Sequence, residues 1–322
     1  LIEKFSFIPK RIILKAGENT KTLKGVHDLL DKIDALNIYP INHVLLIGGA
    51  SLQDTAATAL SLLKRGTVWS YIPTTLLAQA DSCIGSKTSI NSKSSKNLYG
   101  VFYAPKKIYI LPEFLKTLPN TEIISGIGDA MHYLLLDLNV NFNYTKELIN
   151  FLINNNPQDF INDLDRVKRL CSKCHSIKKY FIEKDEFDQD IRKVLNLGHS
   201  FGHALESFLD YKIPHGIGVL YGLIFAADIS ESINQNKLTI QYKDNLKKIK
   251  SSIVNLLLKY SPLKPEFVWE SLKKDQDKFL YILSKDKKNT HKSKYKVILF
   301  VNDNACLIEC RESTVIEYIN QL

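Results

Sequence analysis

Apolar positions in the first third of the chain switch between two periods. Arg11–Leu14 is a short apolar run ending at Gly17, the first strand signal. From Lys21 to Leu36, Leu23, Val26, Leu29, Leu30 and Ile33 recur three or four residues apart, which predicts a helix with one apolar face. His43–Ile47 is a continuous apolar run of the buried-strand type, ended by Gly48-Gly49. Asp54–Lys64, rich in Ala and Leu, predicts a helix, and Val68–Ile72 predicts another strand closed by Pro73. A strand–helix–strand series implies a parallel sheet.

The pattern changes after Leu118-Pro119. Ile123–Leu138, Lys146–Ile153, Asp163–Glu183, His199–Asp210, Gly218–Ser232 and Lys243–Lys259 all carry helical spacing, and a short strand returns near Tyr295–Val301. No internal repeat or low-complexity linker interrupts the chain. The sequence therefore predicts an α/β domain with a parallel sheet over 1–118 and a mainly α-helical domain over 119–322, with ligands expected in the crevice between them.

Composition narrows the function classes. With 322 residues, 45% of them hydrophobic, the chain has enough apolar content for real cores. No apolar run reaches the ~20 uncharged residues of a membrane helix. The stretch Leu1–Lys15 has scattered charges and no small-residue cleavage site, so it does not read as a signal peptide. The chain starts at Leu1 rather than Met, which points to a true start upstream. The net charge of +9 comes mostly from dispersed Lys. Without a polybasic tail or an aromatic-interleaved stripe, nucleic acid is not the expected partner, although a positive field suits an anionic substrate. Five cysteines make no even framework, which implies a reducing, cytoplasmic compartment. Cys171, Cys174, Cys306 and Cys310 have the look of a zinc knuckle, but the first pair lies in a helical stretch far along the chain from the second, and the reading is disfavoured.

The sharpest chemical signal is histidine spacing. His199 and His203 are four apart, which on a helix puts both imidazoles on one face. His215 follows in Pro214-His215-Gly216. Two or three histidines with one carboxylate make a zinc-type catalytic set that leaves a position open for substrate. A second constellation, Gly48-Gly49-Ala50-Ser51-Leu52-Gln53-Asp54, follows a buried strand. Its glycines permit a tight turn close to a phosphate, at the positive end of the next helix. It is not a G-x-G-x-x-G fingerprint, and such turns also occur for structural reasons alone. A third group, Asp81, Lys87, Asn91, Lys96 and Asn97, suits phosphate and polyol recognition, with a solvated loop as the alternative. Lys178 and Arg192 lie on the approach to His199. Arg can clamp a carboxylate or phosphate through two parallel hydrogen bonds, and a helix-surface charge is the ordinary alternative for each.

The stretches IGGASLQD, PTTLLAQADSCIGSKTSIN, KNLYGVFYAP, SGIGDAMHY, RKVLNLGHSFGHALE and PHGIGV occur in this order from Ile47 to Val219. In that order they resemble the 3-dehydroquinate synthases, members of the sugar-phosphate cyclase superfamily, and the likeness covers nearly the whole chain from Gly17. The resemblance implies an NAD-binding α/β domain, a helical domain binding a divalent metal (zinc or cobalt), and a homodimer. It puts the metal on Asp129, His199 and His215. It puts NAD on Glu18, Lys21, Gly48, Gly49, Asp54, Thr74 and Thr75, with Asp81, Lys87 and Lys96 beside them. It puts the substrate, a phosphorylated keto sugar acid, on Asp81, Lys87, Lys96, Asn97, Lys178, Arg192, Asn196, His203 and Lys287. Arg65 matches a position that reaches a neighbouring subunit's phosphate site. The implied reaction turns 3-deoxy-D-arabino-heptulosonate 7-phosphate into 3-dehydroquinate and phosphate, in the shikimate pathway.

The sequence departs from the family pattern at several points. Asp129 stands for a glutamate, His132 for a lysine, Ser86, Ala50 and Gln53 for glycines, Ile217 for an acidic residue and Asp188 for a glutamate. The family also has several dozen residues before the Gly17–Lys21 motif, including its first strands. These departures leave three alternatives to the main reading. They are a cyclase for another sugar phosphate of the 2-deoxy-scyllo-inosose or valiolone type, a catalytically weakened homologue with a binding role, and a metal-dependent alcohol dehydrogenase of related fold.

Overall fold

A computed structural model of the chain describes residues 10–15, 17–37, 43–92, 96–233, 237–285 and 294–322. The chain divides into two compact units between Phe114 and Leu115.

In the first unit, helix α1 (Leu23–Ala35) starts where the Thr22 side chain accepts the Gly25 N–H, and it buries Val26, Leu29 and Ile33. These three belong to the apolar stripe seen in the sequence. Strand β1 (Val44–Gly48) runs into helix α2 (Ala50–Leu62), whose Ala56, Ala57, Ala59 and Leu60 pack against the sheet. Strand β2 (Trp69–Pro73) is buried at every position. Strands β3 (Lys87–Ile90) and β4 (Tyr99–Phe102) pair antiparallel, from Lys87 opposite Phe102 to Ile90 opposite Tyr99. Strand β5 (Lys107–Ile108) completes a parallel sheet of order β1-β2-β5, with Val44 opposite Trp69 and Gly48 opposite Pro73.

Three expectations change in this unit. Strand β1 is not a buried run, since Leu45 and Ile47 are exposed and only Leu46 is buried. Arg11–Leu14 is not a strand. Ile12 and Leu14 pack on the core, but among the described residues no neighbouring strand takes up the segment's backbone groups. Helix α2 begins at Ala50, not Asp54, because Gly49 is its N-cap and Ser51–Gln53 already form its first turn.

The second unit is mainly helical. Its helices are α3 (Asn120–Leu136), α4 (Leu138–Asn154), α5 (Pro157–Asn162), α6 (Leu164–Lys184), α7 (His199–Phe208), α8 (His215–Ile233), α9 (Ile240–Tyr260), α10 (Pro265–Lys274), α11 (Gln276–Ser284) and α12 (Glu312–Gln321). Strands β6 (Lys294–Val301) and β7 (Asn304–Arg311) form a hairpin. Its two-residue turn, Asn302-Asp303, has positive φ at both positions (49° and 60°), the geometry that matches strand twist in a tight hairpin. Helix α8 is apolar and long enough to cross a membrane by length and composition, but most of it is buried inside the unit. It is the central element of the unit, packed against α3, α7, α9 and β6.

Candidate functional site

Each unit has its own cluster of charged residues. In the helical unit, backbone contacts bring the first residues of α7 and α8 to the middle of α3. A Cβ on Gly216 would fall 1.7 Å from the Ser125 carbonyl oxygen, so only glycine lets α8 lie this close to α3. The Gly216 N–H also donates to Ser125 Oγ at 3.0 Å. At the other contact, a Cβ on Gly222 would fall 1.8 Å from the Gly198 carbonyl oxygen, next to the first residue of α7. Asp129 lies one helical turn beyond Ser125, His215 precedes Gly216, and His199 follows Gly198. The sequence thus fixes these three side chains by residue choice at the crossings.

The three converge. Asp129 Oδ1 is 3.3 Å from His199 Nε2 and 3.4 Å from His215 Nε2. Asp129 is 1% exposed, and its Oδ1 accepts no hydrogen bond of normal geometry. Burial alone would raise this carboxyl, but the His199 and His215 imidazoles hold it well below the usual carboxylate range. The other ring nitrogens are already engaged. His199 Nδ1 is 3.1 Å from the Leu197 carbonyl oxygen, and His215 Nδ1 is 2.8 Å from Glu206 Oε1. Burial lowers the His215 imidazole, but Glu206 and Asp129 outweigh it and push it up to about 10.

This donor set fits a small divalent cation. Ligand atoms about 2.0–2.1 Å from a tetrahedral zinc stand about 3.3 Å apart, the spacing found between Asp129 Oδ1 and the two Nε2 atoms. The short aspartate side chain leaves no gap in the set. Donor atoms of His203, Glu206 and His215 also lie within 4.8 Å of one another. In that group, however, His215 Nδ1 and Glu206 are hydrogen-bonded to each other.

His203 lies beside this centre, its ring 5.3 Å from that of His215 and 5.4 Å from that of His199. Lys178 on α6 and Arg192 in the turn before α7 are buried at 7% and 3% exposure. A buried guanidinium is not the helix-surface charge of the ordinary alternative. Arg192 donates to the Glu186 carbonyl oxygen. Its loop is tied by Asp185, whose carboxylate accepts the Gln189, Asp190 and Arg192 N–H groups. Asn196 donates to the Lys193 carbonyl oxygen in the same turn. Lys287 lies outside the described residues.

In the α/β unit, Lys21 Nζ is 2.7 Å from Asp54 Oδ2 and 3.9 Å from Glu18 Oε1. Asp54 Oδ1 also accepts the Ser89 N–H, and burial pushes its carboxyl up while Lys21 pulls against that rise. Glu18 accepts from Asn91 and Ser51. Burial would raise Glu18, but Lys21, Asn91, Lys96 and Ser51 together bring it below its ordinary value.

Gly48-Gly49 ends β1 at the N-terminus of α2, where free N–H groups suit a phosphate. Thr74 and Thr75 follow β2 on the neighbouring strand. The Thr74 N–H donates to the Gly48 carbonyl oxygen at 2.9 Å, and a Cβ on Gly49 would meet Thr75 Cγ2 at 3.0 Å. The two turns therefore lie together at the carboxyl ends of parallel strands, the usual ligand position in α/β sheets. Asp81 belongs to the turn Ala78–Ser82, which Gln53 holds through a reciprocal pair with Ser82. Lys87 opens β3, and Asn97 accepts from Ser89 Oγ. Arg65 is exposed in the turn after α2, at φ 63°.

The four cysteines of the imagined knuckle form no ligand group among the described residues. None is in a disulfide, and burial pushes the Cys171 thiol up to about 12. Sequence reasoning also passed over two residues at the centre. Glu206 continues the His199, His203 spacing along α7, a signal available in the sequence. His132 was noticed only as a departure. It is 2% exposed, with its ring 4.7 Å from that of His199 and its Nδ1 2.5 Å from the Asp129 carbonyl oxygen.

The fold is that of the sugar-phosphate cyclases. The structure matches 2-deoxy-scyllo-inosose synthase, solved with carbaglucose-6-phosphate, NAD+ and Co2+, at a TM-score of 0.80 and 23% identity, over 95% of this chain and 81% of that one. Within that class the chain belongs to the 3-dehydroquinate synthase family. The 3-dehydroquinate synthase N-terminal and C-terminal family models match residues 11–125 and 139–289. The chain is 33% identical to the 3-dehydroquinate synthase of Clostridium acetobutylicum over 97% of this chain and 81% of that protein. To the 3-dehydroquinate synthase of Pyrococcus furiosus it is 38% identical over 70% of this chain, a match spanning 64% of that protein's length.

Proposed function

We propose that the protein is a 3-dehydroquinate synthase of the shikimate pathway, converting 3-deoxy-D-arabino-heptulosonate 7-phosphate into 3-dehydroquinate and phosphate. The observation that carries this reading is the convergence of Asp129 Oδ1 with the Nε2 atoms of His199 and His215 at the spacing of a metal's ligands. The two family models covering most of the chain support it.

In this reading Asp129, His199 and His215 hold a zinc or cobalt ion. The Gly48-Gly49 turn, Thr74, Thr75, Asp54, Lys21 and Glu18 hold NAD, with Asp81, Lys87 and Lys96 beside them. When bound, the metal supplies a Lewis acid for developing alkoxide charge, and the nicotinamide supplies temporary storage for a hydride. The chain's own residues do the rest. Arg192 orients the substrate carboxylate through a bidentate clamp. Lys178 supplies positive charge for the departing phosphate. Asn97 and Asn196 hold hydroxyl groups, and His203 exchanges a hydroxyl proton. Arg192 is buried rather than solvated, and in this reading its guanidinium is matched to the carboxylate that distinguishes the seven-carbon acid phosphate from other sugar phosphates. The same reading makes the protein a cytoplasmic homodimer, with Arg65 reaching the partner's phosphate site, and with neither nucleic acid nor membrane as partner.

The test is to incubate purified protein with the seven-carbon acid phosphate, NAD and Co2+, and to follow both phosphate and dehydroquinate. Both are expected, both stop on chelation, and both return with added Co2+. Phosphate release from sedoheptulose 7-phosphate alone would reassign the protein to another cyclase. Metal binding without any turnover would leave a binding role.

A further inference from the structure

The two imidazoles of the helical centre are anchored by different partners. The Nδ1 of His199 meets a neutral peptide carbonyl, that of Leu197, at 3.1 Å. The Nδ1 of His215 meets a carboxylate, Glu206 Oε1, at 2.8 Å, and Glu206 is 1% exposed. A carboxylate is expensive to bury, so its place here calls for a partner that benefits from its charge. The backbone makes room for it. A Cβ on Gly218 of α8 would meet Glu206 Cγ at 3.0 Å and Oε1 at 3.2 Å. On the other side, a Cβ on Gly202 of α7 would meet the Gly218 carbonyl oxygen at 2.8 Å. Two helices thus approach through glycine at the level where the Glu206 side chain turns back toward His215.

We infer that Glu206 is the positioning residue of this centre. It takes the Nδ1–H of His215, which fixes the ring's tautomer and orientation and leaves the Nε2 lone pair directed at the cation shared with Asp129 and His199. The negative charge of Glu206 also makes that lone pair a stronger donor. Glu206 is not itself a ligand. This inference rests on the metal-binding reading of the site above.

The test measures Co2+ affinity by competition with a chelator, with the visible d–d spectrum as a second readout. It uses the parent protein and the variants Glu206→Gln, Glu206→Leu, Gly218→Ala and Asp129→Ala, each checked for fold by circular dichroism. Loss of an outer partner of a metal histidine typically costs 10–100-fold in affinity. Glu206→Gln keeps an acceptor without the charge and should weaken Co2+ about tenfold. Glu206→Leu removes the acceptor and should weaken it about a hundredfold, with a shifted spectrum of unchanged coordination number. Gly218→Ala displaces the carboxylate without removing a donor and should resemble Glu206→Gln.

Parent affinity in both Glu206 variants would overturn the inference. So would complete loss of Co2+ in Glu206→Gln, matching Asp129→Ala, because that would make Glu206 a ligand. A folded parent protein that binds no Co2+ would instead bring down the metal reading beneath it.

Discussion

The two charged clusters solve opposite problems. In the α/β unit, Asp54 is already neutralised by Lys21 at 2.7 Å, and Glu18 is held by Asn91 and Ser51. That cluster is internally satisfied and can present a shaped, near-neutral surface to a ligand. In the helical unit, Asp129 faces two imidazoles at 3.3 and 3.4 Å, yet its Oδ1 accepts no well-aligned hydrogen bond. A buried carboxylate oxygen left in that condition is costly unless a cation completes it. The comparison teaches that buried charge marks two kinds of site. Paired charge builds a platform, and under-satisfied charge surrounded by lone pairs marks a metal centre.

Breaking the under-satisfied cluster should have the largest effect. His199→Ala should lower Co2+ affinity at least a thousandfold, about 4 kcal/mol, measured by chelator competition. Near-parent affinity would refute the ligand assignment. Breaking the satisfied cluster should act on the fold. Lys21→Met strands Asp54 without its ammonium and should cost about 3 kcal/mol in denaturant unfolding. A double variant, Lys21→Met with Asp54→Asn, should recover much of that loss. If the double variant is no better than the single one, the two residues are not acting as a pair.

A smaller effect is expected at the crossing that builds the metal-type centre. Gly216→Ala forces a methyl group into the Ser125 carbonyl, 1.7 Å from where the new Cβ would sit, and should cost about 2 kcal/mol while weakening Co2+. Unchanged stability would mean that the crossing tolerates repacking. The smallest effect concerns the Arg192 loop. Desolvation raises the Asp185 carboxyl, but three backbone N–H groups and Arg192 together outweigh it and bring it below its ordinary 3.8. A carboxyl depressed in the folded state stabilises above 3.8, and that stabilisation is lost as the pH falls through the depressed value. Amide exchange of Gln189 and Asp190 should therefore accelerate in strong acid, and Asp185→Asn should accelerate it already at neutral pH.

Much of the fold was legible because most elements bury at least one face. The α1 stripe and the long helices of the second unit announced themselves by periodicity, and β1 and β2 by short apolar runs closed by glycine or proline. What escaped has a physical reason in each case. All four residues of β4 are exposed, so it lacks the apolar–polar alternation that marks a half-buried strand. Helix α5 is six residues long, too short for a period, although Asn156 and Asp159 spell its capping box. Strand β7 was missed, although Asn302-Asp303 is a turn signal placed directly after a strand. Helices α2 and α8 start earlier than expected because glycine and proline near their first turns looked like loop.

The candidate site divides in the same way. Spacing singled out His199 and His203, with His215 following; the choice of His199 and His215 as the ligand pair came from family likeness. Asp129 came only from family likeness, because a single aspartate in an apolar helix carries no periodic signal. The anchors of the two imidazole Nδ1 atoms are near in the chain, Leu197 two residues before His199 and Glu206 nine before His215. The pairing of Glu206 with His215 nevertheless depends on how α8 folds back on α7, which spacing alone does not give.

The contact of α8 with Ser125 through Gly216 has one more consequence. Corners of a cage that are set by touching main chains do not spread apart to suit a guest. Calcium seeks about six to eight oxygens at about 2.3–2.6 Å, and magnesium keeps most of its water. A narrow nest with two nitrogens offers neither. In the metal-binding reading proposed above, selectivity among cations would follow from where the helices touch, and millimolar calcium or magnesium should leave cobalt in place.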